Sequence, residues 1–120
     1  MPPRARSPMR AIAAHRRSYA HPIAFRRGEA VQLTGREDDW HGHRWVWAIG
    51  PDGREGWIPP QTVAAGADGT FACVDYSAAE LTVAAGETVW AAAAQLGWRW
   101  CRNGLGEEGW LPCEVLAEIA

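Results

Sequence analysis

His41 and His43 are separated by one residue, so an extended strand would set both imidazoles on one side. His15 and His21 lie in the same half of the chain. Zinc is held by tight sets of Cys and His, but the sequence has no Cys-x-x-Cys and no His beyond residue 43. The histidines therefore read as solvated loop residues, and no metal or other cofactor is expected. Cys73, Cys101 and Cys113 are odd in number and widely spaced, which suits free thiols in a reducing cytoplasm rather than a disulfide framework. A thiol nucleophile needs a neighbouring base or an electropositive setting, and Cys101 and Cys113 fall in an acidic stretch without His. No phosphate-cradling Gly loop, Ser-His-Asp set or pair of catalytic carboxylates stands out, so no enzyme is expected. Glu37-Asp38-Asp39 reads as a solvated loop tip or, alternatively, as an acidic rim beside Trp40 and Trp45 that attracts basic peptides. Arg16-Arg17 and Arg26-Arg27 offer contacts to phosphate. Without any Lys or a continuous basic face, nucleic acid is not an expected partner.

The remaining chemistry is aromatic. Eight Trp stand beside two Phe and two Tyr in 120 residues, with 48% hydrophobic content and a net charge of −2. That composition excludes a disordered chain and gives no general pull toward anionic surfaces. Most of the Trp belong to a repeat. The stretch WVWAIGPDGREGWIPPQTV from Trp45 aligns without a gap on WRWCRNGLGEEGWLPCEVL from Trp98. Upstream, Gly28-Glu29-Ala30-Val31 matches Gly86-Glu87-Thr88-Val89, and the first copy carries an insertion around REDDWHGH. The halves differ in charge: ten Arg and six acids in residues 1–60 give +4, and two Arg and eight acids in 61–120 give −6.

Short runs rich in Trp, Val and Ile, separated by GPDG and NGLG turns, predict strands and hairpins without a long helix. WAAAAQL looks helical by propensity but takes the place of VQLTG in the other copy, which predicts a strand. The fold expected is all-β, with each copy curled into a small barrel. The expected division is a disordered leader at 1–8, one barrel at 9–63, a flexible joint at 64–69 (AAGADG) and a second barrel at 70–118. No apolar run is long enough to span a bilayer and no export signal is evident, so membrane partners are not expected.

Gly-Glu-x-Val, then Trp, then Gly-Trp-Ile-Pro or Gly-Trp-Leu-Pro resembles the second half of a Src-homology-3 (SH3) domain. In the second copy Ala72–Tyr76 (ACVDY) resembles the family's ALYDY start and ELTVAAGE its ELSFxxGD stretch. The two copies together cover about residues 10–118, and the arrangement is similar to small bacterial proteins of the variant SH3 type, a resemblance that implies a fold but no activity. It also implies a peptide groove: its Trp maps to Trp45 and Trp98, its Pro to Pro59 and Pro112, and its Asp-Tyr to Asp75 and Tyr76 of the second copy. The loop between Tyr76 and Glu80 is short and the matching HRRSYAHP of the first copy is basic, unlike the family's acidic loop.

Strand alternation puts Trp45 and Trp47 on one face and Val46 and Ala48 on the other, and treats Trp98 and Trp100 likewise. Small residues such as Ala48 and Cys101 suit a tight interior, leaving the Trp pairs outside. The function expected is therefore non-enzymatic binding of an extended, Pro-containing peptide or a protein partner through Trp-lined grooves. The site residues would be Trp40, Trp45, Pro59, Asp75, Tyr76, Trp98 and Pro112. The alternative is an assembly protein whose Trp faces pack between the repeats or in a homo-oligomer.

Overall fold

The computed structural model describes residues 6–119, and residues 1–5 of the leader expected at 1–8 lie outside them. Residues 7 and 8 are not leader but strand. Among the described residues twelve strands follow one another: β1 (Ser7–Ala11), β2 (Ala24–Phe25), β3 (Gln32–Trp40), β4 (His43–Ile49), β5 (Glu55–Ile58), β6 (Val63–Gly66), β7 (Gly69–Ala72), β8 (Tyr76–Ser77), β9 (Thr88–Gln95), β10 (Trp98–Arg102), β11 (Glu108–Pro112) and β12 (Leu116–Glu118). Short 3-10 turns occupy Pro60–Thr62 and Cys113–Val115. No helix of the described residues is long and apolar enough to cross a membrane. The all-β expectation is met, and WAAAAQL is the strand the repeat alignment predicts.

The chain divides into two compact units, but not where the sequence suggests. One is Ala20–Ala79; the other combines the segment up to Tyr19 with the segment from Glu80. The expected joint at 64–69 is mostly strand: β6 and β7 pair antiparallel with Gly66 opposite Gly69, leaving only residues 67 and 68 to turn the chain. Gly69 has φ 124°, a conformation in which a side chain would be strained. A two-residue connection forces adjacent antiparallel strands. The ALYDY-like segment is thus folded back onto the unit before it, instead of opening the one after it.

Within Ala20–Ala79, β3, β4 and β5 form one antiparallel sheet, while β6–β7 and β2–β8 form separate pairs. The end of β7 is tied down by backbone bonds, Ala72 N–H to the Glu29 carbonyl at 2.9 Å and Gly28 N–H to the Ala72 carbonyl at 2.8 Å. Ile23, Phe25, Val31, Val46, Ala48, Ile58 and Ala72 make the core, with Val63, Tyr76 and Ala78 against it.

In the other unit the strand order is β11-β10-β9-β1-β12. β1 is interior to that sheet, with Met9 opposite Val89 on one side and Glu118 on the other. Met9 and Ala11 therefore enter a core with Leu81, Val83, Val89, Ala91, Cys101, Leu111, Val115 and Leu116. Each unit takes strands from the opposite repeat: β7 and β8 leave the second copy and β1 leaves the first. The regrouping also evens the charge. Ala20–Ala79 holds five Arg and eight acids (−3), and the other unit seven Arg and six acids (+1).

The expected closed barrels are not formed as continuous ladders among the described residues. Two-residue strands, 3-10 turns and irregularities between Leu33 and Glu37 and between Arg99 and Cys101 interrupt the pairing. The inserted stretch is likewise not a loop. Glu37-Asp38-Asp39 pairs with Val46-Trp45-Arg44 in a long ribbon whose tip is His41-Gly42, with φ 50° and 79°. Those two left-handed residues make the turn compatible with strand twist. Leu96-Gly97 (φ 51° and 86°) does the same between β9 and β10.

Candidate functional site

Alternation on β4 works as expected: Val46 and Ala48 are buried, whereas Trp45 and Trp47 are half-buried on the opposite face. β10 follows with less contrast, since Cys101 is buried and Trp98, Arg99 and Trp100 are all half-buried. Burial pushes the Cys101 thiol up to about 11, against opposing pulls from Arg99 and Arg6. A thiol that stays protonated is a poor nucleophile.

The structure brings Trp40, Trp45, Pro59, Asp75 and Tyr76 into one unit. Asp75 and Tyr76 thus accompany Trp45 and Pro59, not Trp98 and Pro112 as the linear alignment implied. Tyr76 packs its ring on Phe25 at 5.6 Å, and Asp75 accepts the Arg27 backbone N–H at 2.8 Å. Trp40 ends β3 with its ring on His41 at 3.9 Å. The Trp45 indole N–H is shielded and finds no partner among the described residues. Leaving such a donor unpaired costs about 1–3 kcal/mol. Pro59 is buried, and its carbonyl accepts the Thr62 hydroxyl at 2.7 Å. Beside Trp40 and Trp45 in the ribbon, Glu37, Asp38, Asp39 and Arg44 line an open depression of about 250 Å³. Arg44 bonds Glu37 and holds that carboxyl below its usual range.

In the other unit Pro112 is buried and Trp98 half-buried. The position corresponding to Tyr76 is His15, which bridges Val83 as Tyr76 pairs with Phe25. Its Nε2 lies 2.8 Å from Glu80 Oε1, and its ring meets Trp98 edge-on at 5.9 Å. Ser18 Oγ donates to the same carboxylate oxygen at 3.1 Å. Sequence reading placed His15 in a solvated loop. The missed signal is register, because Ala11 and Ala72 are equivalent buried positions four residues ahead of His15 and Tyr76.

A second cluster occurs once in each unit. Trp47 and Trp57 face each other across β4 and β5, nearly perpendicular (82°) at 5.1 Å, and Trp47 Nε1–H donates to Glu55 at 2.9 Å. Trp100 and Trp110 repeat this at 75° and 5.3 Å, with Trp100 Nε1–H donating to Glu108 at 3.2 Å. A bond from Arg6 at 2.6 Å is the main reason the Glu108 carboxyl is held low, with Trp100 adding to it. The identical spacing of Trp47, Glu55 and Trp57 and of Trp100, Glu108 and Trp110 was the sequence signal for it.

Residues 8–65 match the family model of the Variant SH3 domain. No curated protein and no solved structure matches the chain significantly. The matched stretch runs from β1 to β6, so in space it contributes to both units. SH3 domains generally mediate protein–protein interaction and are typically non-catalytic.

Proposed function

We propose that the chain is a non-enzymatic interaction module of two SH3-like small barrels that have exchanged strands, and that it binds an extended peptide of a partner protein. The observation carrying this reading is the outward aromatic face of β4. Two Trp are kept half-exposed there although the core of the same unit is built from smaller residues. Trp presents broad apolar area, a π face and an N–H donor at low entropic cost. Because Pro59 and Pro112 are buried, contact falls to Trp40, Trp45 and Tyr76, with the acidic ribbon favouring peptides that carry positive charge beside a Pro-containing stretch. In the other unit the edge of His15 already rests on Trp98, so binding there is weaker.

A peptide array read by Trp fluorescence tests this. Trp45→Ala should lose about tenfold or more in affinity, as an aromatic anchor does, and Trp98→Ala should lose little. Binding should fall as salt screens the ribbon, over a distance of about 8–10 Å at physiological ionic strength. Equal binding by Trp45→Ala and the parent would remove the groove from the account.

A further inference from the structure

A guanidinium already sits in the aromatic corner of the Ala20–Ala79 unit. Arg36 places its Cζ 5.0 Å from the Trp47 ring and 5.0 Å from the Trp57 ring. The two indoles stand almost at right angles, so a cation between them meets two π faces at once, and Glu55 is fixed at the rim by the Trp47 N–H. Aromatic corners of this kind attract cations through the ring quadrupole. The planar, weakly hydrated guanidinium suits them better than an ammonium.

The other unit contains the same cluster. Its Trp100–Trp110 pair carries Glu108 in the same relation, and Glu108 holds the Arg6 guanidinium. Arg6 precedes β1 and Arg36 lies within β3, so the two arginines do not correspond in the repeat. What recurs is the Trp-Trp-Glu cluster; a guanidinium lies over the rings in one unit and on the carboxylate in the other. Arg36 and Glu55 are exposed, so the corner is accessible from solvent. The net charge of −3 on this unit draws a basic partner.

We propose that Trp47, Trp57 and Glu55 form a guanidinium-binding site for an arginine of a partner protein, and that Arg36 fills it when the partner is absent. The site uses Trp47 and Trp57 rather than Trp40, Trp45 and Tyr76, and its acid is the Glu two residues before the second Trp.

The test is a titration of the full-length, 15N-labelled chain, following its indole N–H signals by NMR. The probes are N-acetylarginine amide and its uncharged isostere, N-acetylcitrulline amide. In Arg36→Ala the arginine probe should move the Trp47 and Trp57 signals saturably. In the parent the same movement should need about fivefold more probe, because the internal cation competes with the strength expected at an exposed site. The citrulline probe should move neither signal, and Glu55→Gln in the Arg36→Ala background should weaken the arginine response. Should Arg36→Ala lose its dispersed spectrum, Arg36→Gln keeps the side-chain stem without the charge and replaces it. Absence of a saturable shift in the Arg36 variant overturns the proposal. So does an equal response to citrulline, or equal affinity in variant and parent.

Discussion

Gly109→Ala should unfold the unit containing β9–β12, at a cost of about 3 kcal/mol or more, the upper end of what overpacking exacts. A Cβ at Gly109 would stand 2.6 Å from Leu81 N, 2.7 Å from Glu80 C and 3.1 Å from Glu80 O. All three are backbone atoms, so no rotamer change makes room. The segment is held there by the Leu81 N–H bond to the Trp110 carbonyl at 3.1 Å. Gly56, its counterpart in the repeat, would bring its Cβ to 2.9 Å from the Cγ2 of the buried Ile23, a side-chain atom rather than hydrogen-bonded backbone. Gly56→Ala should therefore cost clearly less, about 1 kcal/mol. Urea melts of the two variants check the ranking, and a larger loss in Gly56→Ala would contradict it.

Ala11→Asp should be as damaging, and selectively so. Ala11 is fully buried in β1, between β9 and β12, and no cation in that core is placed to pair with a carboxylate. An unpaired buried charge costs several kcal/mol, comparable to the whole stability of a 60-residue unit at about 3–9 kcal/mol. Four Trp (Trp90, Trp98, Trp100, Trp110) lie in this unit and four (Trp40, Trp45, Trp47, Trp57) in the other. The first four indole N–H signals should collapse to unfolded positions. The second four should stay dispersed, since their unit has its own core. Loss of the second set with the first set intact would refute the strand assignment.

The sequence made some of this legible, and the physics explains which parts. Trp-x-Trp against Val46, Ala48 and Cys101 is a period-2 pattern, and period decides which side chains face the core. The repeat alignment corrected the helical propensity of WAAAAQL because equivalent residues must occupy equivalent strands. The failures involve partner choice. AAGADG is as good a two-residue hairpin as it is a flexible joint, and only three-dimensional pairing distinguishes them. Reading it as a joint sent Asp75 and Tyr76 to Trp98 instead of Trp45, and left β1 as the beginning of its own repeat. The stretch through Glu37, Asp38 and Asp39 reads as a loop because it is an insertion carrying a run of charge, and acidic residues have low strand propensity. Its pairing with β4 overrides that preference. The Glu55–Trp47 and Glu108–Trp100 bonds were written in the repeat, but the arginines set against them come from positions that no alignment would connect.

The surface around Trp45 is assembled within residues 20–79, using strands that sequence similarity assigns to the second repeat. An amide NMR spectrum of the isolated 20–79 fragment, laid over that of the intact chain, tests it most directly. The account predicts a dispersed spectrum in which the signals of Val46, Ala48, Ile58, Ala72 and Tyr76 keep their intact-chain positions. A 9–63 fragment, which lacks β7 and β8, should be poorly dispersed. A collapsed 20–79 fragment beside a folded 9–63 fragment would contradict the exchange of strands and the site built upon it.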